Sequence, residues 1–357
     1  MSTQIEIILN RICAKAAEKG ASEIYIVPAQ MPFIRIDGKM KLLTGESVLS
    51  VSFINDLIPI FLSDNEQDIL KEERQIEIVK KIGNIGNSQI SIYFQKNNLS
   101  LRIKLLSQEI KDLDSLGLPK VIKRFAHILH GIVLITGPRD SGRSTLAISL
   151  LDYINKNQAK FISTIEQPIK AILRGNKSVI EQREVGRDVN SFLSGLSYIR
   201  KRNVDVVMVS QINDSAVFKE IFAIAEAGGL IFAIMDTTSS LRTIKRILHF
   251  FPVSEGESIR YFLSENLAGI ISSRLVPRIG GGRVRAIEVL SVTPAVRTII
   301  SNGRFHQLTS ILQTSGGEEA VSMDQYLADL VSSGEVTVEE AIKYCVDEEL
   351  FKALLRR

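Results

Sequence analysis

Residues 131–145 constrain this 357-residue chain more than any other stretch. Gly131-Ile132-Val133-Leu134-Ile135-Thr136 is a continuous apolar run of strand length. It runs directly into Gly137-Pro138-Arg139-Asp140-Ser141-Gly142-Arg143-Ser144-Thr145, after which the pattern turns helical. Strand, glycine loop and helix in that order form a P-loop skeleton, whose pattern is Gly, four residues, Gly, Lys, then Ser or Thr. One position departs from that pattern, Arg143 in place of the lysine. The glycines let backbone N–H groups converge on phosphate oxygens at a helix N-terminus. Ser144 stands where a hydroxyl would hold Mg²⁺ if a nucleotide binds. A plain Gly-Pro and Ser-Gly turn would require neither the buried strand before it nor the helix after it.

The surrounding pattern agrees. Short apolar strands at Gly131 to Thr136, Lys160 to Ile165, Val204 to Val209 and Leu230 to Met235 alternate with helical segments. Strands that are apolar throughout are buried on both faces, as in a parallel sheet. This predicts an α/β core over 111–292. The first 110 residues read differently. A helical pattern over 4–19 is followed by strands at Ile24–Val27 and Phe33–Ile36, with a hairpin turn at Asp37-Gly38. Helical stretches at 48–62 and 64–73 come next, then strands at 88–94 and 99–106 joined by Lys96-Asn97-Asn98. Helices and strands mix there without alternating, which predicts an α+β domain ending near residues 107–117. From 293 to 357 the chain turns mostly helical, with Pro294 opening one helix and Gly303 closing it. Ser-Gly-Gly at 315–317 reads as a linker or turn.

Composition excludes several classes. A net charge of +4 is too weak to argue for nucleic acid or an anionic membrane. With no Trp there is no stacking platform for single strands. Cys13 and Cys345 lie far apart and in no ligand spacing, as expected of a reducing cytosol. The apolar runs are strand-sized and fall short of the ~20 residues that span a bilayer, so membrane contact is expected only through partners. His127 and His130 read as three apart on a helix, a formal metal spacing, but no third ligand lies near and packing is the expected role. Arg200-Lys201-Arg202 reads as a cationic helix C-terminus. Leu241, Ile244, Ile247, Leu248 and Phe251 form an apolar helical stripe.

An ordered string of motifs resembles the PilT-like retraction ATPases of type IV pili, within the type II/IV secretion ATPase family. They begin with Gly20-Ala21-Ser22-Glu23-Ile24 and Arg35-Ile36-Asp37-Gly38. In the core they are Asp152-Tyr153-Ile154-Asn155, Thr164-Ile165-Glu166 and Gln182 to Asp188. Later come Ala225-Glu226-Ala227-Gly228, Thr237-Thr238-Ser239, Phe251-Pro252 and Ile279 to Val284. Ala295-Val296-Arg297-Thr298-Ile299-Ile300 resembles the family's C-terminal retraction helix, which faces the machinery that the ring drives. The resemblance implies a PAS-like N-terminal domain over 1–110, a RecA-like core, and a hexameric ring with nucleotide sites between subunits.

The departures from that family cluster on its chemistry. Arg143 replaces the P-loop lysine, and a planar guanidinium does not substitute for a compact ammonium. Asp140 replaces a loop glycine; Asp tolerates a left-handed backbone, so the loop is expected to survive. Its carboxylate faces the triphosphate, where at ~4 Å each like-charge pair costs about 1 kcal/mol in water and about 4 near a protein surface. Gln211 stands where the family has its catalytic glutamate, and loss of a general base costs roughly 10²–10⁴ in rate. Glu166 is retained beside Gln167, and Asp236 replaces the histidine near the γ-phosphate. Asn87-Ser88-Gln89-Ile90 and Gly195-Leu196-Ser197 replace segments that carry arginines, while Lys201 and Arg183 persist. Arg139, Arg143 and Asp140 are expected to pair among themselves and fill the anion site.

Losses of groups that act together are not additive, and one removes most of the rate. The resemblance and its departures together imply a non-catalytic subunit that binds ATP and Mg²⁺ weakly and requires no cofactor. Such a subunit would form a ring of its own or join an active PilT-like ATPase. It would meet pilus or secretion basal-body proteins through residues 295–300, where Val296, Ile299 and Ile300 bury one side of the helix and Arg297 stays available at its edge, from the cytoplasmic side of the inner membrane. A slow but genuine ATPase, and a scaffold or signalling module no longer tied to pili, are the alternatives.

Overall fold

The computed structural model describes residues 2–83, 85–106, 109–314 and 319–356. The expected linker at 315–317 and residues 107–108 of the expected domain boundary lie outside them. The chain divides into two compact units, residues 1–109 and 110–357.

In chain order the first unit contains α1 (Ser2–Glu18), β1 (Glu23–Ile26), β2 (Phe33–Ile36), β3 (Lys39–Leu42), α2 (Val51–Phe61) and α3 (Asp64–Glu73), then β4 (Gln75–Ile82), β5 (Gly86–Gln95) and β6 (Asn98–Leu105). Its strands form one antiparallel sheet in the order β3-β2-β1-β6-β5-β4. Both two-residue hairpin turns, Asp37-Gly38 and Lys96-Asn97, have positive φ at each position. That geometry matches the twist of the strands it joins. Ile24, Ile34, Ile90, Ile92, Leu101 and Ile103 bury one face of the sheet with Ile12, Ile54 and Leu57 from the helices. Ser50 caps α2 by accepting from the Phe53 amide, and Ser63 with Glu66 forms a capping box on α3. The sequence reading passed over β3 and β4, although Gln75-Ile76-Glu77-Ile78 alternates as an edge strand should.

The second unit contains α4 (Val121–Phe125), β7 (Gly131–Thr136), α5 (Arg143–Asn157), β8 (Phe161–Glu166), β9 (Val179–Glu184), α6 (Phe192–Arg200), β10 (Val206–Val209), α7 (Ser215–Glu226), β11 (Leu230–Met235) and α8 (Ser240–Leu248). It continues with α9 (Gly256–Asn266), β12 (Leu267–Pro277), β13 (Arg283–Ser291), α10 (Pro294–Ser301), α11 (Gln307–Thr314), β14 (Ala320–Val321), α12 (Met323–Ser332), α13 (Val338–Ile342) and α14 (Glu348–Leu354). The sheet runs β14-β13-β12-β7-β11-β10-β8-β9. From β12 to β9 every pair is parallel, while β13 and β14 are antiparallel additions. β7 shows why its run is apolar throughout. Ile132 and Leu134 pack with α6 to α10 on one face, and Val133 and Ile135 pack with α4 and α5 on the other. The fold is the α/β core with a parallel sheet expected from the strand–helix alternation.

Two expectations need correction. His127 and His130 lie beyond the end of α4 and not on a helix; the His127 ring instead meets Tyr153 edge-on at 5.7 Å. Among the described residues no three His, Cys, Asp or Glu side chains gather to hold a metal. Arg297 is also not an available cation on the edge of α10. Thr293 caps that helix and Pro294 opens it, as expected. Val296, Ile299 and Ile300 are buried, but Arg297 Nη1 donates to the carbonyls of Ser264 and Glu265 at 2.6 and 2.7 Å, at the C-terminus of α9. Ala295 and Thr298 are the members of the segment that face outward. Arg200-Lys201-Arg202 does end a helix, with Arg200 on Glu220 and Arg202 on Glu181. The α8 stripe is core: Ile244, Ile247 and Phe251 are buried, and Leu241 and Leu248 pack against them.

Because the Arg297 guanidinium satisfies two helix-terminal carbonyls, Arg297→Ala is expected to cost about 2 kcal/mol in urea unfolding. A loss within ~0.5 kcal/mol, as for an ordinary surface change, would rule out this clamp.

Candidate functional site

Ligands of open parallel sheets bind beyond the C-terminal ends of the strands. Here the loop 137–142 leaves β7 at that edge, while β8 delivers Glu166 and the chain beyond β10 and β11 delivers Gln211 and Asp236. The topology therefore gathers the core positions singled out in the sequence on one edge, with residues 295–300 placed elsewhere, on α10.

The loop keeps an open backbone. Gly137, Asp140 and Gly142 have φ of 149°, 59° and 84°, so Asp140 does adopt the left-handed conformation expected of it. Gly137 admits no side chain: a Cβ would lie 2.3 Å from the Ser273 carbonyl oxygen and 2.4 Å from Ser141 Oγ. Pro138, Arg139, Asp140 and Thr145 are exposed. Ser141 is buried, and its hydroxyl has no hydrogen-bond partner. The loop is held from β12 and β13. Ser273 Oγ donates to the Ser141 carbonyl at 2.8 Å. Arg285 Nη1 donates to Ser273 Oγ at 2.7 Å and to the Gly142 carbonyl at 3.2 Å. Arg285 is only 9% exposed, and burial pushes its guanidinium down to about 10. Among the described residues no carboxylate forms an ion pair with it.

Arg143 does not pair within the loop as expected. Its guanidinium bonds the Asp236 carboxylate and donates to the Met235 carbonyl at 2.7 Å, at the end of β11. The pair is lopsided, with the Arg143 side chain 13% exposed and that of Asp236 61%. The residues at the expected lysine and histidine positions thus neutralise each other. Gln211 is exposed and donates to Asn213 Oδ1 at 2.7 Å. Gln211 and Asp236 open on a cleft of about 400 Å³, which they share with Thr237, Thr238, Arg242 and Arg246. Glu166 is buried and accepts from Thr164 Oγ1 at 2.7 Å and Gln182 Nε2 at 3.0 Å. Burial raises its carboxyl above the usual range, against the opposing pull of Gln182, Thr164 and the Lys170 charge.

Lys170 and Arg285 were missed in the sequence. Lys170 Nζ donates to Ser144 Oγ at 2.8 Å. A signal for Lys170 existed in its spacing, four residues past Glu166. For Arg285 it was the Arg-Val-Arg alternation, which puts Arg283 and Arg285 on one face of a strand. The donor set does not fit Mg²⁺. The Ser144 hydroxyl is bonded by an ammonium, Asp236 by a guanidinium, and Glu166 is buried and engaged by Thr164 and Gln182.

A parallel sheet with a glycine loop between a buried central strand and its following helix defines a RecA-like P-loop protein. Residues 2–343 match the model of the type II/IV secretion system protein family, and the chain belongs to that family. Within it the chain is PilT-like. It is 30% identical over 333 residues to the type IV pilus retraction ATPase PilT of Pseudomonas aeruginosa, covering 93% of this chain and 96% of that one. It is also 30% identical over 319 residues to a twitching motility protein of Neisseria gonorrhoeae, covering 89% and 85%. The crystal structure of the pilus retraction motor PilT with bound ADP superposes with a TM-score of 0.85 at 32% identity, over 96% of this chain and 98% of that one. The ATPase DotB of Legionella pneumophila shares the fold, with a TM-score of 0.82 at 20% identity.

Two predictions follow from this geometry. Gly137→Ala is expected to destabilise the second unit by about 3 kcal/mol in chemical unfolding, since neither backbone nor neighbour admits the methyl. The second concerns pH. A carboxyl raised in the folded state keeps its proton where the unfolded chain has released it. Stability is therefore lost as pH climbs from the ordinary Glu value through the raised one. Glu166→Gln removes that ionisation and keeps an acceptor. It is expected to melt with the parent in acid and above it at neutral pH, and the reverse order would refute the raised value.

Proposed function

We propose that this chain is a non-catalytic, PilT-like subunit of type IV pilus or related secretion machinery, acting through ring assembly and protein–protein contacts. The observation that carries this is the bond between Arg143 and Asp236. Two positions that the resemblance assigns to phosphate chemistry are engaged with each other, so neither charge is presented to a nucleotide. Gln211 supports the same reading, because an amide cannot take a proton from an attacking water and this one is bonded to Asn213. Glu166, the retained acid, is buried, and burial raises its carboxyl above the usual range. The hexameric ring, the cytoplasmic face of the inner membrane as the working place, and an active PilT-like ATPase or basal-body protein as partner are what the family resemblance implies. They are proposed here for this chain. No helix among the described residues is long and apolar enough to cross a membrane.

Within residues 295–300 the outward side chains Ala295 and Thr298 are the proposed contacts, while Arg297 clamps α9 and the three aliphatic residues fix the helix to the core.

Purified protein is expected to release no phosphate from ATP above a blank, with or without Mg²⁺. Mg²⁺-dependent release that disappears in Ser144→Ala would establish the slow-ATPase alternative. In the native host, Thr298→Arg is expected to impair pilus-dependent movement or secretion, while Ser144→Ala leaves it close to the parent. A crippling Ser144→Ala beside a silent Thr298→Arg would overturn the proposal.

A further inference from the structure

We propose that the loop at 137–142 is a metal-independent phosphate site, in which the Lys170 ammonium takes the place of a divalent cation. This rests on reading the loop as a former nucleotide site, and it names the ligand that site still takes: a phosphate chain without Mg²⁺, as in a nucleoside diphosphate.

Four observations converge on it. First, the backbone that would cradle phosphate is intact, with open conformations at Gly137, Asp140 and Gly142 leading into the 15-residue helix α5. Second, Arg285 is a buried cation hydrogen-bonded to neutral oxygens, one of them the carbonyl of Gly142 in the loop. A buried charge is costly unless it is compensated. Within the described residues no carboxylate pairs with it, and an anion seated in the loop would supply the missing charge. Third, Ser141 Oγ is buried in the same loop without a partner, and buried hydroxyls otherwise find one. Fourth, Lys170 Nζ sits 2.8 Å from Ser144 Oγ.

The fourth observation decides against the metal. Mg²⁺ requires oxygen ligands in a near-octahedral shell, from carboxylates, hydroxyls or water. The Ser144 oxygen already accepts from a cation, and a dication there would meet the ammonium as a like charge. The nearby carboxylates are withdrawn as well, Asp236 on Arg143 and Glu166 with Thr164 and Gln182. An ammonium brings one charge and several donors to a phosphate. It can neutralise and hold the anion but does not polarise it as a divalent ion does. Binding without turnover follows naturally.

The test uses the full chain, a fluorescent ADP analogue and inorganic pyrophosphate as competitor, each in Mg²⁺ and in EDTA. The analogue is expected to bind with an affinity that changes less than about threefold between the two conditions, and pyrophosphate is expected to displace it. Lys170→Met, with its melting curve checked, is expected to weaken binding in EDTA about tenfold and to make binding improve on addition of Mg²⁺. The comparison of the parent in Mg²⁺ and EDTA needs no variant. A tenfold gain of the parent in Mg²⁺ would show that the metal displaces Lys170 and would overturn the proposal. So would failure of both probes to bind, or an analogue that pyrophosphate cannot displace. None of these outcomes touches the assembly reading, which fails only on phosphate release and the host phenotype.

Discussion

A single buried guanidinium holds the glycine loop in place. Arg285 reaches from β13 to the Gly142 carbonyl and to Ser273 Oγ, and Ser273 passes the restraint on to the Ser141 carbonyl. Two successive loop carbonyls are therefore tied to the antiparallel edge of the sheet, in addition to the first turn of α5. This explains an oddity of β12, whose buried stretch includes Ser272 and Ser273 where an aliphatic pair would be expected. Ser272 Oγ meets Thr136 Oγ1 at 2.8 Å at the end of β7, and Ser273 serves the loop. The Ser273 hydroxyl serves a chain that has turned out of the strand and whose carbonyls require donors. Gly137 must lack a side chain for the same reason, since the Ser273 backbone presses against it.

Around that loop two cationic side chains are bonded within the protein. Arg143 with Asp236 and Lys170 with Ser144 close off groups that a nucleotide and its metal would otherwise engage. An exposed ion pair contributes roughly 0–1 kcal/mol, so the stability gained does not by itself account for the arrangement. Burial of Arg143 changes the balance. Removing Asp236 would leave the largely covered Arg143 guanidinium without its counter-charge, which costs more than losing an exposed pair. Once arginine stands at 143, an anion at 236 becomes the residue that best tolerates it, and the reverse also holds. On the proposed reading the two substitutions are one change, which a single reversion would not undo.

Much of this was legible in the sequence. The apolar run of β7, the glycines after it and the strand–helix alternation specify the core, because those patterns are direct consequences of burial on two faces. The left-handed backbone of Asp140 followed from its residue type. What was missed depended on contacts between distant segments. Lys170 reaches Ser144 across 26 positions and Arg285 reaches Gly142 across 143. No local periodicity encodes such a meeting. β4 and β9 were passed over because edge strands are half polar and carry a weak apolar signal. Arg297 was read as an edge cation because helical spacing shows which face a residue occupies, but not which neighbouring helix ends beneath it.

The division between fold and chemistry explains how such a chain can change its site without losing its shape. The second unit is held by apolar layers on both faces of the sheet, and the four altered positions around the loop do not contribute to them: Asp140, Gln211 and Asp236 are exposed, and Arg143 lies at the first turn of its helix. Substitutions there meet little packing resistance. The loop backbone is different, because Gly137 and Gly142 are confined by Ser273 and Arg285 and cannot drift. A chain released from turnover would therefore lose side-chain chemistry first and keep the cradle longest. On the proposed reading that is the state of this chain, with an open loop beside a buried cation and Arg143, Asp236 and Gln211 bonded to other groups.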